Sequence, residues 1–118
     1  MTAGRSGAGD PWGRDPGVQG LRRAFALMEK RQQALLRRSR VPEFEPRLAP
    51  ARREACLLLE RGWALAAGQG RALSPEDLSD LYEPILARVL ARQGLLDAPE
   101  SWPQPWEPLL RELFEGAP

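Results

Sequence analysis

Histidine and asparagine are absent from this chain of 118 residues, and it has a single cysteine. Cys56 has no second thiol with which to form an intramolecular disulfide. Without histidine, neither a Cys/His zinc site nor a Ser/His/Asp triad can be assembled. Cys56 lies at the margin of a predicted apolar stripe and has no histidine to act as its base, so we expect a packed and unreactive thiol. We expect neither a metal ion nor a cofactor.

Long apolar runs are also missing. No stretch reaches the 18 or so consecutive apolar residues typical of a membrane-spanning helix. Residues 1–17 lack the apolar centre of a signal peptide, and the acids Asp10 and Asp15 are atypical of a transit peptide. We therefore predict an intracellular, soluble protein without a membrane partner. The glycine-rich and proline-containing residues 1–17 are predicted to be a disordered leader before one helical domain over residues 18–118.

The charge is divided unevenly along the chain, although the total is only +1. Residues 1–53 contain 12 basic and 5 acidic side chains, which gives a net charge of +7. Residues 54–118 contain 5 basic and 11 acidic side chains, which gives −6. This division indicates an electrostatic partner for the first half. The partner could be another protein, a polyanion or the second half of the same chain.

Apolar residues recur with a helical period in two segments of the first half of the chain, at about 18–39 and 51–67. The first stripe consists of Leu21, Phe25, Met28, Leu35 and Leu36. The second stripe consists of Ala55, Leu58, Leu59, Trp63 and Ala66. Three prolines, Pro42, Pro46 and Pro50, are predicted to break the chain between these helices.

A third helix is predicted at about 75–93. Ser74 as N-cap, Pro75 at the first helical position and Asp77 form a capping signature. Pro84 lies inside the pattern and should kink the helix. Gln93 is a polar residue on the apolar stripe, which indicates either a fraying helix end or an amide that faces a ligand.

The end of the chain contains a Pro- and Trp-rich connection at 97–108, extended around Trp102 to Trp106, and a short helix at about 107–115. The apolar positions of this end are Trp106, Leu109, Leu110, Leu113 and Phe114. They occupy one helical face. The favoured interpretation is a lid that completes a thin three-helix core. The alternative is an acidic amphipathic peptide that binds in a groove of a partner.

The basic residues of the first helix come in doublets two turns apart: Arg22 and Arg23, Lys30 and Arg31, Arg37 and Arg38. They lie largely away from the apolar stripe, which predicts a surface for an acidic protein partner. The predicted partner-binding residues are Arg23, Lys30, Arg31, Arg37 and Arg38, together with Trp106, Leu110, Leu113 and Phe114 of the tail. Nucleic-acid binding is a weaker alternative, because only Trp12 and Phe25 supply aromatic rings nearby and Phe25 is expected to face the core.

Three segments, Leu21 to Leu36, Pro50 to Arg61 and Leu73 to Gln93, carry patterns of the form LR..F..ME.....LL, P.RRE..LLLER and LSPEDLSDLYEPILARVLARQ. Their order resembles the all-helical chorismate mutases and the related isochorismate-pyruvate lyases. In that family three helices form an intertwined dimer, and Arg, Lys, Glu and Gln side chains promote a pericyclic reaction of a dicarboxylate without a cofactor.

The resemblance implies a site of four residues. Arg22 would bind a substrate carboxylate, Arg53 and Glu54 would be the pair on the second helix, and Gln93 would face the ether oxygen. The chain departs from the family pattern at Ser39, where a second arginine is expected, and it has no lysine after Lys30.

Taken together, these features predict a small all-α protein with three principal helices and a short C-terminal helix. An interaction or assembly module is the first functional hypothesis, with a homodimer as one form of it. A cofactor-independent, chorismate mutase-like enzyme that uses Arg22, Arg53, Glu54 and Gln93 is the alternative.

Overall fold

The computed structural model describes the backbone of residues 17–116 and the side chains of residues 22–116. It contains four helices and, over these residues, no strand, which confirms the all-α prediction. The helices are α1 (Gly17–Ser39), α2 (Leu48–Gly68), α3 (Pro75–Arg92) and α4 (Glu107–Glu115). None of the four is long and apolar enough to cross a membrane. The prediction for the leader falls on residues outside the described part, apart from Gly17, which begins α1.

Local sequence signals account for the start of α3 and the end of α2. The Ser74 hydroxyl accepts a hydrogen bond from the Asp77 N–H at 3.1 Å, and the Asp77 carboxylate accepts one from the Ser74 N–H at 3.0 Å. This confirms the predicted capping box at the start of α3. At the end of α2, Gly70 adopts a φ of 75°, a conformation that glycine tolerates without strain.

Helix α2 begins at Leu48, three residues before the predicted start at Ala51. The interpretation of Pro50 as a helix breaker was wrong, because Pro50 lies in the first turn. There a backbone N–H has no partner within the helix, so its loss in proline costs nothing. Pro84 lies further along its helix, and α3 is continuous through it.

Helix α3 is the centre of the bundle. Its residues Leu81, Ile85, Leu86, Val89 and Leu90 are fully buried. Helix α1 packs on α3 in parallel, since an ion pair joins Arg23 and Glu76 near the starts of both helices. Helix α2 runs in the opposite direction, because Nη1 of Arg47, just before α2, donates to the carbonyl of Gln93 at the end of α3 at 2.9 Å. The first three helices therefore run up, down and up.

The C-terminal segment completes the core on a second side of α2. Its buried side chains are Trp102, Trp106, Leu109, Leu110 and Leu113. Cation–π contacts join Arg88 to the ring of Trp102 and Arg71 to that of Trp106, with 4.2 Å and 4.5 Å from the guanidinium carbon to the ring centroid. The lid interpretation is confirmed by this burial. The segment around Trp106 forms a turn and does not have the predicted extended conformation, because the Trp106 N–H donates to the Pro103 carbonyl at 3.0 Å.

Candidate functional site

An apolar groove with a volume of ≈ 710 Å³ lies between α1 and α2. Side chains of α1, α2 and the first turns of α3 line it: Ala24, Phe25, Met28, Cys56, Leu59, Glu60, Trp63 and Leu78. Helices α1 and α2 both pack on α3, whereas they make little direct contact with each other. None of the residues 17–116 fills the space between them. This space is called the α1/α2 groove below.

Phe25 on the α1 wall is 56% exposed, so the prediction that it faces the core was wrong. The side of α1 that packs on α3 is set by Ala24, Met28 and Leu35, all of which are buried. Phe25 lies about 100° around the helix from Ala24, on the edge that faces α2. This edge would be buried only if α2 came close to it. Trp63 on the opposite wall is half-buried.

A hydrogen bond between polar side chains crosses the interior beside this groove. The Tyr82 hydroxyl of α3 donates to Oε1 of Gln32 on α1 at 2.8 Å. Burial raises the pKa of Tyr82 to about 12, so the phenol is neutral and remains a donor. The bond links α1 to α3 and accounts for the polar Gln32 next to the apolar stripe.

Cys56 lies in the wall of the groove and also borders a shallow hollow beside Arg53 and Leu57. It is exposed, so the prediction of a packed thiol was wrong. Partial burial raises the pKa of the Cys56 thiol, and the carboxylate of Glu60 raises it further. A thiol with a raised pKa is mostly protonated near neutral pH and is therefore a poor nucleophile.

The charged residues at helical spacing around Phe25 and Cys56, called the rim of the groove below, carry both signs on each helix, and Glu60 among them lines the groove itself. On α1, Arg22 and Glu29 flank Phe25 at spacings of i, i+3 and i+7, which place all three on one side of the helix. On α2, Arg53 and Glu60 flank Cys56 at the same spacings. All four charged residues are exposed.

The basic side of α1 is partly neutralised by the acids of α3. Arg31 lies 2.5 Å from Oδ1 of Asp80 and 3.3 Å from Oε1 of Glu83. Arg38 lies 2.6 Å from Oε2 of Glu83. Together with the ion pair between Arg23 and Glu76, these contacts make α3 the electrostatic partner of three arginines of α1.

Two of the predicted partner-binding residues, Lys30 and Arg37, are exposed, and no ion pair joins them to another described residue. They are the members of their doublets that point away from α3. Each doublet of the second half of α1 is thus divided: one member contacts α3, and the other remains on the surface.

The four residues implied by the mutase resemblance do not meet within one chain. Arg22 lies beside the start of α3, since its neighbour Arg23 pairs with Glu76. Gln93 is the C-cap at the other end of α3, about 25 Å away along the helix axis. Arg53 and Glu54 lie near that second end and are exposed on α2. Whether the four residues act on a substrate stays a prediction.

The tail residues predicted for partner binding have another role within the described chain. Trp106, Leu110 and Leu113 are buried, and Phe114 stacks on Trp102 with 5.3 Å between ring centroids. These side chains already pack against the chain itself. The interpretation of the tail as a free docking peptide is therefore corrected.

No group of three or more Cys, Asp or Glu side chains that could hold a metal ion occurs in the described part of the chain. No local pattern in the sequence predicted the groove, because Phe25 belongs to the apolar stripe that was expected to face the core. Comparisons of the chain with protein-family models, with curated proteins and with solved structures find no match.

Proposed function

We propose that this chain is a small helical protein–protein interaction module and that the α1/α2 groove is its contact surface. The observation that carries the proposal is the exposed Phe25 beside an apolar groove that none of the described residues fills. Burial of apolar surface away from water has a favourable free energy, and large exposed apolar patches typically mark sites of protein association.

The packing of α4 on α2 is an example of a segment that covers an apolar surface of this chain. On the other side of α2, the chain's own α4 covers the helix with Leu109 and Leu113, whose methyl groups lie close to Gly62. Helix α4 is amphipathic and carries acids such as Glu112 on its other side. A helical segment of similar character is the kind of partner that fits the groove between α1 and α2.

A second candidate contact, separate from the groove, is an acidic partner at the outward residues Lys30 and Arg37, which are exposed and do not line the groove. Because Arg31 and Arg38 already pair with α3, reversal of charge at Lys30 and Arg37 tests this contact without breaking the bundle. We expect Lys30→Glu with Arg37→Glu to weaken an acidic partner and to reduce the salt dependence of its binding. Unchanged binding of a purified partner would limit these residues to a solvated surface.

The experiment that tests the proposed function compares two phenylalanines of equal chemistry. Phe25→Glu places a charge at the groove, whereas Phe44→Glu places one at a residue that is 87% exposed and does not line the groove. Immobilised full-length chains are used to capture proteins from extracts of the source cells, and the affinity of each captured protein is then measured after purification. We expect Phe25→Glu to abolish binding that Phe44→Glu leaves intact. Equal loss with both variants, or with neither, would contradict the groove as the contact surface.

A further inference from the structure

We propose that the partner bound at the α1/α2 groove is a second copy of this chain, in a face-to-face dimer of two chains that are each folded as described. This inference rests on the proposed function, because it assigns the occupant of the same surface. It is argued from the shape, the charges and the size of that surface.

The shape of the surface is self-complementary. A two-fold dimer uses the same patch on both chains, so the patch must supply both a projection and a cavity that receives it. Phe25 projects from the α1 wall with more than half of its surface exposed. The groove beside it, between Met28 and Trp63, is apolar. One face therefore contains both halves of the contact.

The charges of the rim favour a second copy over a strongly acidic partner. A partner of one sign would require a rim of the opposite sign, but Arg22 and Arg53 alternate here with Glu29 and Glu60. In a two-fold contact each positive residue can meet a negative residue of the other copy. The net charge of the chain is only +1, so two copies experience little overall repulsion.

The size of the surface sets the expected strength. The lining and rim residues run from Arg22 to Glu29 on α1 and from Arg53 to Trp63 on α2, which gives a face roughly 12–16 Å long and about 20 Å wide. Two such faces bury roughly 500–650 Å² together, which is below the roughly 1,200 Å² at which interfaces of standard size begin. We therefore expect a weak dimer that dissociates on dilution, with a dissociation constant in the high micromolar to millimolar range.

Sedimentation equilibrium of the full-length chain over a wide concentration range tests the proposal. The average mass of the wild type should rise from 13.2 kDa towards twice that value as the concentration increases. Phe25→Glu should raise the dissociation constant at least tenfold, whereas Phe44→Glu should change it less than twofold. Circular dichroism and the Tm of each variant show whether it is folded. If Phe25→Glu does not fold, Phe25→Ala and Glu60→Arg take its place at the exposed rim.

The outcomes separate this inference from the proposed function. A wild type that stays monomeric at every concentration overturns the dimer, as does a dimer that Phe25 and Phe44 variants weaken equally. A monomer that becomes dimeric only after removal of residues 1–16 also overturns it, because the groove would then be covered within the chain. If the wild type is monomeric but captures another protein in a manner that depends on Phe25, the proposed function stands and only the dimer fails.

Discussion

Replacement of Leu110 by alanine tests whether α4 is an integral part of the core. The Leu110 side chain is fully buried at the centre of the apolar side of α4. The matched control is Leu57→Ala on α2, since Leu57 is the same residue type in a helix but is 65% exposed. Both changes remove the same atoms, so their difference reports burial.

The expected magnitudes follow from this difference in burial. Truncation of a buried leucine costs about 2–5 kcal/mol, because transfer free energy is lost and a cavity remains. A value of about 3 kcal/mol is a large fraction of the roughly 5–15 kcal/mol by which a domain is usually stable. It should lower the Tm by roughly 10–15 °C. Truncation of the exposed Leu57 should change the stability by less than about 0.5 kcal/mol.

Urea denaturation followed by circular dichroism measures the free energy of unfolding of the two variants, and calorimetry gives the Tm. The m-value should stay constant if only stability changes. If Leu110→Ala unfolds at the same urea concentration as Leu57→Ala, then α4 is not part of the cooperative core. The packing of the tail described above would then have to be rejected.

Three further predictions address the ion pairs, the backbone and the alternative function. Glu83→Gln removes the negative charge that two arginines of α1 share. It should cost about 0.5–1 kcal/mol in low salt and nearly nothing in 1 M salt, and an equal cost in both would refute a screened ion pair. Arg40 has a φ of 59°, a left-handed backbone conformation that glycine adopts without strain, so Arg40→Gly should stabilise the chain by about 0.5–1 kcal/mol in urea denaturation. A loss of stability would show that the arginine side chain contributes more than the relief of backbone strain. Purified protein should not convert chorismate or isochorismate above background, because Arg22 lies near the start of α3 and Gln93 lies at its end. Turnover that disappears in Arg53→Ala would instead support the mutase-like alternative.

The sequence predicted the elements well because the forces that define them are local. The capping box at Ser74 and Asp77 involves groups three residues apart, and helical periodicity compares neighbours within a few turns. The start of α2 was placed too late because Pro50 can stand either before a helix or in its first turn. Burial of α4 was predictable for a global reason, since three helices alone leave a thin core.

The functional surface depended on how the helices approach one another, which no local pattern encodes. Phe25 belongs to the apolar stripe of α1, but it is exposed because α2 stays apart from that edge of the helix. The division of the charge between the two halves was evident from the sequence, and it left three kinds of partner open. The parallel packing of α1 on α3 decided among them for Arg31 and Arg38, because it brings these arginines within 4 Å of the α3 acids. Sequence alone thus determined the helices and their apolar faces. Tertiary structure determined which charges are neutralised and where residues 17–116 leave a groove between α1 and α2, because both depend on distances between residues that are far apart in the chain.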